Sequence, residues 1–142
     1  MPRPEETDIK RLTRQFIDKT LPKEEWTHRA HFAVALCLLA DANVDAYAEM
    51  PQMIRAYNEA TGVANTDTEG YHETITIASL RAAEVFLRAA APNTSLAQTL
   101  RALMDSRYGK SNWLFEHWSR THLFSVEARR SWQAPDLSDL PF

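Results

Sequence analysis

The sequence predicts an all-α fold, an irregular bundle of about five to seven helices in a single domain spanning residues 1–142, and three observations support this. Glycine is scarce: only Gly62, Gly70 and Gly109 occur in 142 residues, too few for the positive-φ turns that sheet folds depend on. Apolar residues recur at helical spacing over segments longer than an ordinary strand. The polar stretches that separate these segments are short, as in helical bundles.

The elements follow in order. Ile9, Leu12, Phe16 and Ile17 make one stripe of a first helix from about Thr7 to Thr20, closed by Leu21-Pro22. A second helix covers about Thr27 to Ala40, with Thr27 as N-cap. Its apolar residues nearly surround the axis, which places it at the centre of the bundle. A third runs from about Val44 to Thr61 and stops at Gly62; Pro51 inside it either kinks the helix or divides it in two. A polar loop, residues 63–70, leads to a fourth helix from about Tyr71 to Ala90, with Ile77, Leu80, Ala83, Phe86 and Leu87 toward the core. The run Thr74-Ile75-Thr76-Ile77 is β-like by propensity, but the helical pattern after it prevails. Pro92-Asn93-Thr94 starts a fifth helix with the stripe Leu96, Leu100, Leu103 and Met104, ended by Tyr108-Gly109. Ser111 is placed to cap a short aromatic helix over residues 112–118, and a last helical turn follows Ser125. Residues 1–6 and 135–142 are expected to be extended tails.

Composition narrows the function. Hydrophobic residues are 44% and charged residues 25% of the chain, and the net charge is −3 with both signs mixed throughout. No basic stripe marks a nucleic-acid surface, and no run of about 18 apolar residues marks a membrane span. The N-terminus lacks the apolar region of a signal peptide. The single cysteine, Cys37, lies in an apolar run and reads as a small buried hydrophobe. The expectation is a soluble cytoplasmic protein.

The five histidines carry the candidate chemistry. His28 and His31 share a helix face within Trp26-Thr27-His28-Arg29-Ala30-His31. His72 and Glu73 open the fourth helix within Gly70-Tyr71-His72-Glu73-Thr74-Ile75-Thr76. If the second and fourth helices pack side by side, His28, His31 and His72 converge. They then form a site for a divalent metal such as Zn²⁺, Fe²⁺ or Mn²⁺, with Glu73 as ligand or general base. The same residues also suit a metal-free polar pocket, or histidines that cap helices and bond to nearby threonines. Two Glu-x-x-His pairs, Glu25–His28 and Glu69–His72, have the di-iron spacing, but each glutamate lies just before its helix rather than within it. Gly109-Lys110-Ser111 lacks the earlier glycine and the strand of a phosphate-binding loop. No nucleophile elbow is present. The aromatic cluster Trp113, Phe115, Trp118, Phe124 and Trp132 reads as core or subunit interface.

The segments Trp-x-His-x-Ala-His at residues 26–31 and Gly-Tyr-His-Glu-Thr-Ile-Thr at residues 70–76 resemble those of a family of small bacterial all-α proteins of no established activity. The resemblance covers mainly residues 26–76, with weaker echoes from Tyr108 to Trp118, and it implies no substrate or cofactor.

Two readings follow. In the first, a small helical enzyme or metal-binding protein holds its metal on His28, His31 and His72. Glu73 and Tyr71 serve catalysis on a small-molecule substrate. In the second, a non-catalytic binding or assembly module, such as a homodimer, uses the aromatic C-terminal segment as its contact surface, and the histidines are structural.

Overall fold

The first helix, α1, spans Pro4–Asp18 in a computed structural model that describes residues 4–142. It begins earlier than the expected Thr7, so residues 4–6 are helical rather than extended; residues 1–3 lie outside the described residues. The reason is local: proline fits the first turn of a helix, and Glu5 and Glu6 complement the positive end of its dipole. Glu6 also reaches the start of another helix, accepting the Ala97 amide at 2.5 Å. Ile9, Leu12 and Phe16 are buried as their spacing implies. Ile17, the fourth member of the stripe, is 41% exposed.

After a 3₁₀ turn, Lys23–Glu25, helix α2 covers His28–Ala40, capped by the Thr27 hydroxyl on the Ala30 amide at 3.2 Å. It is the axis of the bundle and packs against α1, α3, α4 and α5, described below. Phe32, Val34, Leu36 and Leu38 are buried on it, each stabilising the fold by about 1.5–3 kcal/mol relative to exposure. Helix α3, Ala46–Ala60, is a single helix through Pro51 and ends before the positive-φ Gly62. Helix α4, Glu73–Ala89, buries Thr74, Ala78, Leu80, Ala82 and Ala83, with Ile77, Phe86 and Leu87 packed at the margin. Its β-like opening is held by tertiary bonds. The Thr74 hydroxyl donates to the Ser131 carbonyl at 3.0 Å and accepts the Gln133 amide at 3.1 Å.

Helix α5, Leu96–Asp105, starts on a capping box of Ser95 and Gln98. It stops short of Tyr108-Gly109, which instead form the 3₁₀ turn Arg107–Gly109. The aromatic segment is a second such turn, Trp113–Glu116, with no side-chain cap, so Ser111 does not play the part expected of it. Two short helices follow: α6, Arg120–Leu123, which the hydrophobic pattern missed although Ser119 caps it, and α7, Val126–Arg130, capped by Ser125. Residues 135–142 form no helix and dock on the body. The Leu137 amide donates to the His117 carbonyl at 2.9 Å, Arg81 donates to the Phe142 carbonyl at 2.7 Å, and Leu140 and Phe142 pack on the core.

The fold is therefore all-α, with seven α-helices and no strand among the described residues. No helix among them is long and apolar enough to cross a membrane. Cys37 is half-buried, and burial pushes its thiol up from the ordinary value, in keeping with a packing role. Trp113 and Trp118 are interior, at 2% and 0% exposure, while Phe124 is half-exposed. Trp113 and Trp118 are therefore core, whereas Trp132 is only partly buried against it.

Candidate functional site

Four of the five histidines turn out to join parts of the chain. His28 Nε2 lies 2.8 Å from the Tyr108 carbonyl, His72 Nε2 2.7 Å from that of Leu123, His117 Nδ1 3.0 Å from that of Ser138, and His122 Nε2 2.8 Å from that of Ala134. Each carbonyl can only accept, so each of these ring nitrogens carries a proton and donates it. His72 uses its other nitrogen as well. Its Nδ1 accepts the Ile75 amide at 3.2 Å and so serves as the N-cap of α4. His117 Nε2 accepts from Arg107 at 2.9 Å.

These bonds alter the metal site that the spacing suggested. His72 has no lone pair left for a cation, and His28 is turned toward Tyr108. Among the described residues no group of three or more His, Cys, Asp or Glu side chains is placed to hold a metal ion. Helices α2 and α4 do pack together as expected. The imidazoles of His28 and His72 are nonetheless committed to different carbonyls.

Glu73 and Tyr71 pair with each other. The Tyr71 hydroxyl donates to the Glu73 carboxylate. Burial first, and that carboxylate second, push the Tyr71 hydroxyl above its ordinary value, so it stays protonated. Arg55 lies over the Tyr71 ring, 4.2 Å from its centre. Tyr71 lines a pocket whereas Glu73 does not.

His31 is the exception among the five. Neither of its ring nitrogens has a hydrogen-bond partner among the described residues. Its ring stacks on Trp26 at 3.9 Å between centres, and Trp26 stacks in turn on Phe16 at 4.3 Å. The 3₁₀ turn before Trp26 and the Thr27 cap after it set this three-ring pile at the start of α2. Burial first, and the neighbouring His28 second, hold the His31 imidazole down to about 4, so it is neutral near pH 7.

Two pockets meet at His31. One of about 210 Å³ opens toward Thr27, His28, Ser111 and Trp113. The other, of about 380 Å³, opens toward Asn58, Gly70, Tyr71 and Thr76. Trp26, His31, Ile75 and Ser79 line both, so the two form adjoining halves of one cleft between the starts of α2 and α4. Among the lining residues that no sequence motif marks as site residues are Ser79, which has no motif around it, and Trp113, which reads as core.

The floor at Tyr71 depends on a loop whose geometry requires glycine. Gly70 has φ +81°, and a Cβ there would run into the Ala64 carbonyl oxygen and lie 2.9 Å from the Asn65 Cα. Asn65 organises the same turn, accepting from Asn58 and from the Tyr71 amide, each at 3.0 Å. Arg129 donates to the Gly70 and Tyr71 carbonyls from outside. Gly70→Ala is expected to lower the unfolding free energy by about 2 kcal/mol, measured by urea denaturation. A neutral result would mean that the loop relaxes freely.

No protein-family model, characterised protein or solved structure matches this chain.

Proposed function

We propose that this protein binds a small molecule in the cleft between the starts of α2 and α4, with neutral His31 at its polar centre and without a metal held by His28, His31 and His72. The observation that carries the reading is the contrast among the histidines: four are spent on backbone carbonyls, and His31 alone keeps both nitrogens free of partners among the described residues, at the wall shared by two pockets. A neutral imidazole offers one donor and one acceptor. A concave, mostly apolar cleft with a few convergent polar groups is the usual form of a small-molecule site. His31 is poorly suited to act as a general base near pH 7, because it releases its proton at about pH 4. Its role is hydrogen bonding and stacking, with the Tyr71 ring lining the larger pocket.

The test is a fragment library screened by ¹H–¹⁵N NMR against the full chain and His31→Phe. Hits are expected to shift the amides of His31, Ile75 and Ser79 and to weaken about tenfold in the variant, the scale of losing hydrogen bonds in a partly dry site. Hits scattered elsewhere, or unaffected by the substitution, would sink the reading. Stoichiometric uptake of Zn²⁺, Fe²⁺ or Mn²⁺ that disappears in His31→Ala would restore the metal reading in its place.

A further inference from the structure

The walls of the cleft hold more unmet hydrogen-bonding capacity than His31 alone. The Trp113 indole N–H is buried with no partner, on a side chain that is 2% exposed and lines the smaller pocket. An indole N–H left in that state costs about 1–3 kcal/mol, and buried donors are seldom orphaned without a reason. The hydroxyls of half-buried Ser79 and exposed Ser111 also line the cleft and have no protein partner among the described residues. Around these groups the wall is aromatic and aliphatic, with Trp26, Phe32, Ile75 and Leu114.

Charge is missing from the same surface. No Asp, Glu, Lys or Arg lines either half of the cleft among the described residues. The charged groups that touch Tyr71 and Gly70 are engaged there: Glu73 with the Tyr71 hydroxyl, Arg55 with the Tyr71 ring, and Arg129 with the Gly70 and Tyr71 carbonyls. A carboxylate, phosphate or ammonium ligand would enter a partly dry site with no counter-charge, at a desolvation cost that nothing in the wall offsets. Flat aromatic walls favour a flat ligand. An orphan N–H donor calls for a carbonyl oxygen, and the free acceptor of a neutral imidazole calls for an N–H.

We propose that the cleft takes an uncharged planar heterocycle carrying a cyclic amide, whose ring C=O and N–H meet the unpartnered donors and acceptor of the Trp113, His31, Ser79 and Ser111 wall. The assignment rests on the reading of the cleft as a small-molecule site and specifies the ligand class. Lactams of one or two fused rings, including oxo-purines and oxo-pyrimidines, share this chemistry.

The experiment is an NMR titration of the full chain with 2-pyridone and hypoxanthine, and in parallel with benzoate and benzamidine. The two cyclic amides are expected to shift the Trp113 indole N–H resonance and the amides of His31 and Ser79, while the two charged probes leave them in place. Trp113→Phe, which removes the donor, and Ser79→Ala, which keeps α4 intact, should each weaken the cyclic amides by about fivefold. Benzoate or benzamidine binding the cleft as tightly as the lactams would overturn the ligand class and leave the pocket reading standing. So would fragment hits confined to compounds without a cyclic amide, or unchanged lactam affinity in both variants. If neither these probes nor the fragment library moves any cleft resonance, the pocket reading itself fails.

Discussion

Acidification from pH 7 to pH 4 is expected to lower the unfolding free energy by about 3 kcal/mol through His31 alone. In the folded chain this imidazole protonates at about 4, because burial and the nearby His28 oppose a positive charge; its ordinary value is 6.5. Between those two values the unfolded chain holds more protons than the folded one. The contribution of His31 is therefore complete above pH 6.5 and is lost as the pH falls toward 4. His72 is shifted in the same direction by burial and adds to the trend. Asp67 and Asp136 are held below the ordinary carboxylate value by Arg130 and Ser119 respectively, so their losses fall mostly below pH 3.8 and reach only the acid end of the window. The check is urea denaturation across this range for the wild type and for His31→Phe, which keeps a flat ring and cannot protonate. The variant should lose most of the slope between pH 6.5 and 4. Equal slopes would show that His31 titrates normally and that the cleft is wetter than its walls suggest.

Trp118→Ala should cost about 3–5 kcal/mol, the range for removing a buried tryptophan from a packed core. Trp118 is completely buried, meets Trp132 edge-on at 5.7 Å between ring centres, and donates its indole N–H to the Gln133 carbonyl at 2.9 Å. The substitution leaves a void and an unpaired carbonyl together. Thermal melting should drop by on the order of 15 °C. Phe124→Ser, at a half-exposed aromatic in the same segment, should change stability by less than about 1 kcal/mol. A folded Trp118→Ala of near wild-type stability would mean that the aromatic segment is a surface rather than part of the core.

The parts of the fold that were legible in the sequence are those set by local physics. Thr27 caps α2 as expected, a short helix follows Ser125, and α2 is central because its apolar residues surround it. Helix α6 was missed because four residues hold too little of a period to register, although Ser119 marks its start. Ser111 looked like a cap because a serine stood before an aromatic run. The chain turns there into a 3₁₀ segment with no side-chain cap, and the hydroxyl is left lining the cleft.

The sequence by itself determined that the chain is helical, where most helices begin and end, and which two segments bring histidine, tyrosine and glutamate near the starts of α2 and α4. Those properties depend on bonds between residues three or four apart, and such bonds are written in neighbouring letters. Only the tertiary structure decided which histidine is free. His28 and His31 are three residues apart on one helix, yet one meets a carbonyl 80 positions along the chain and the other meets none among the described residues. His72 is claimed by a carbonyl 51 positions away. An imidazole's partner is chosen by whichever strong acceptor the fold brings within about 3 Å. That choice leaves His28 and His72 bonded to distant carbonyls and His31 in the wall of the cleft.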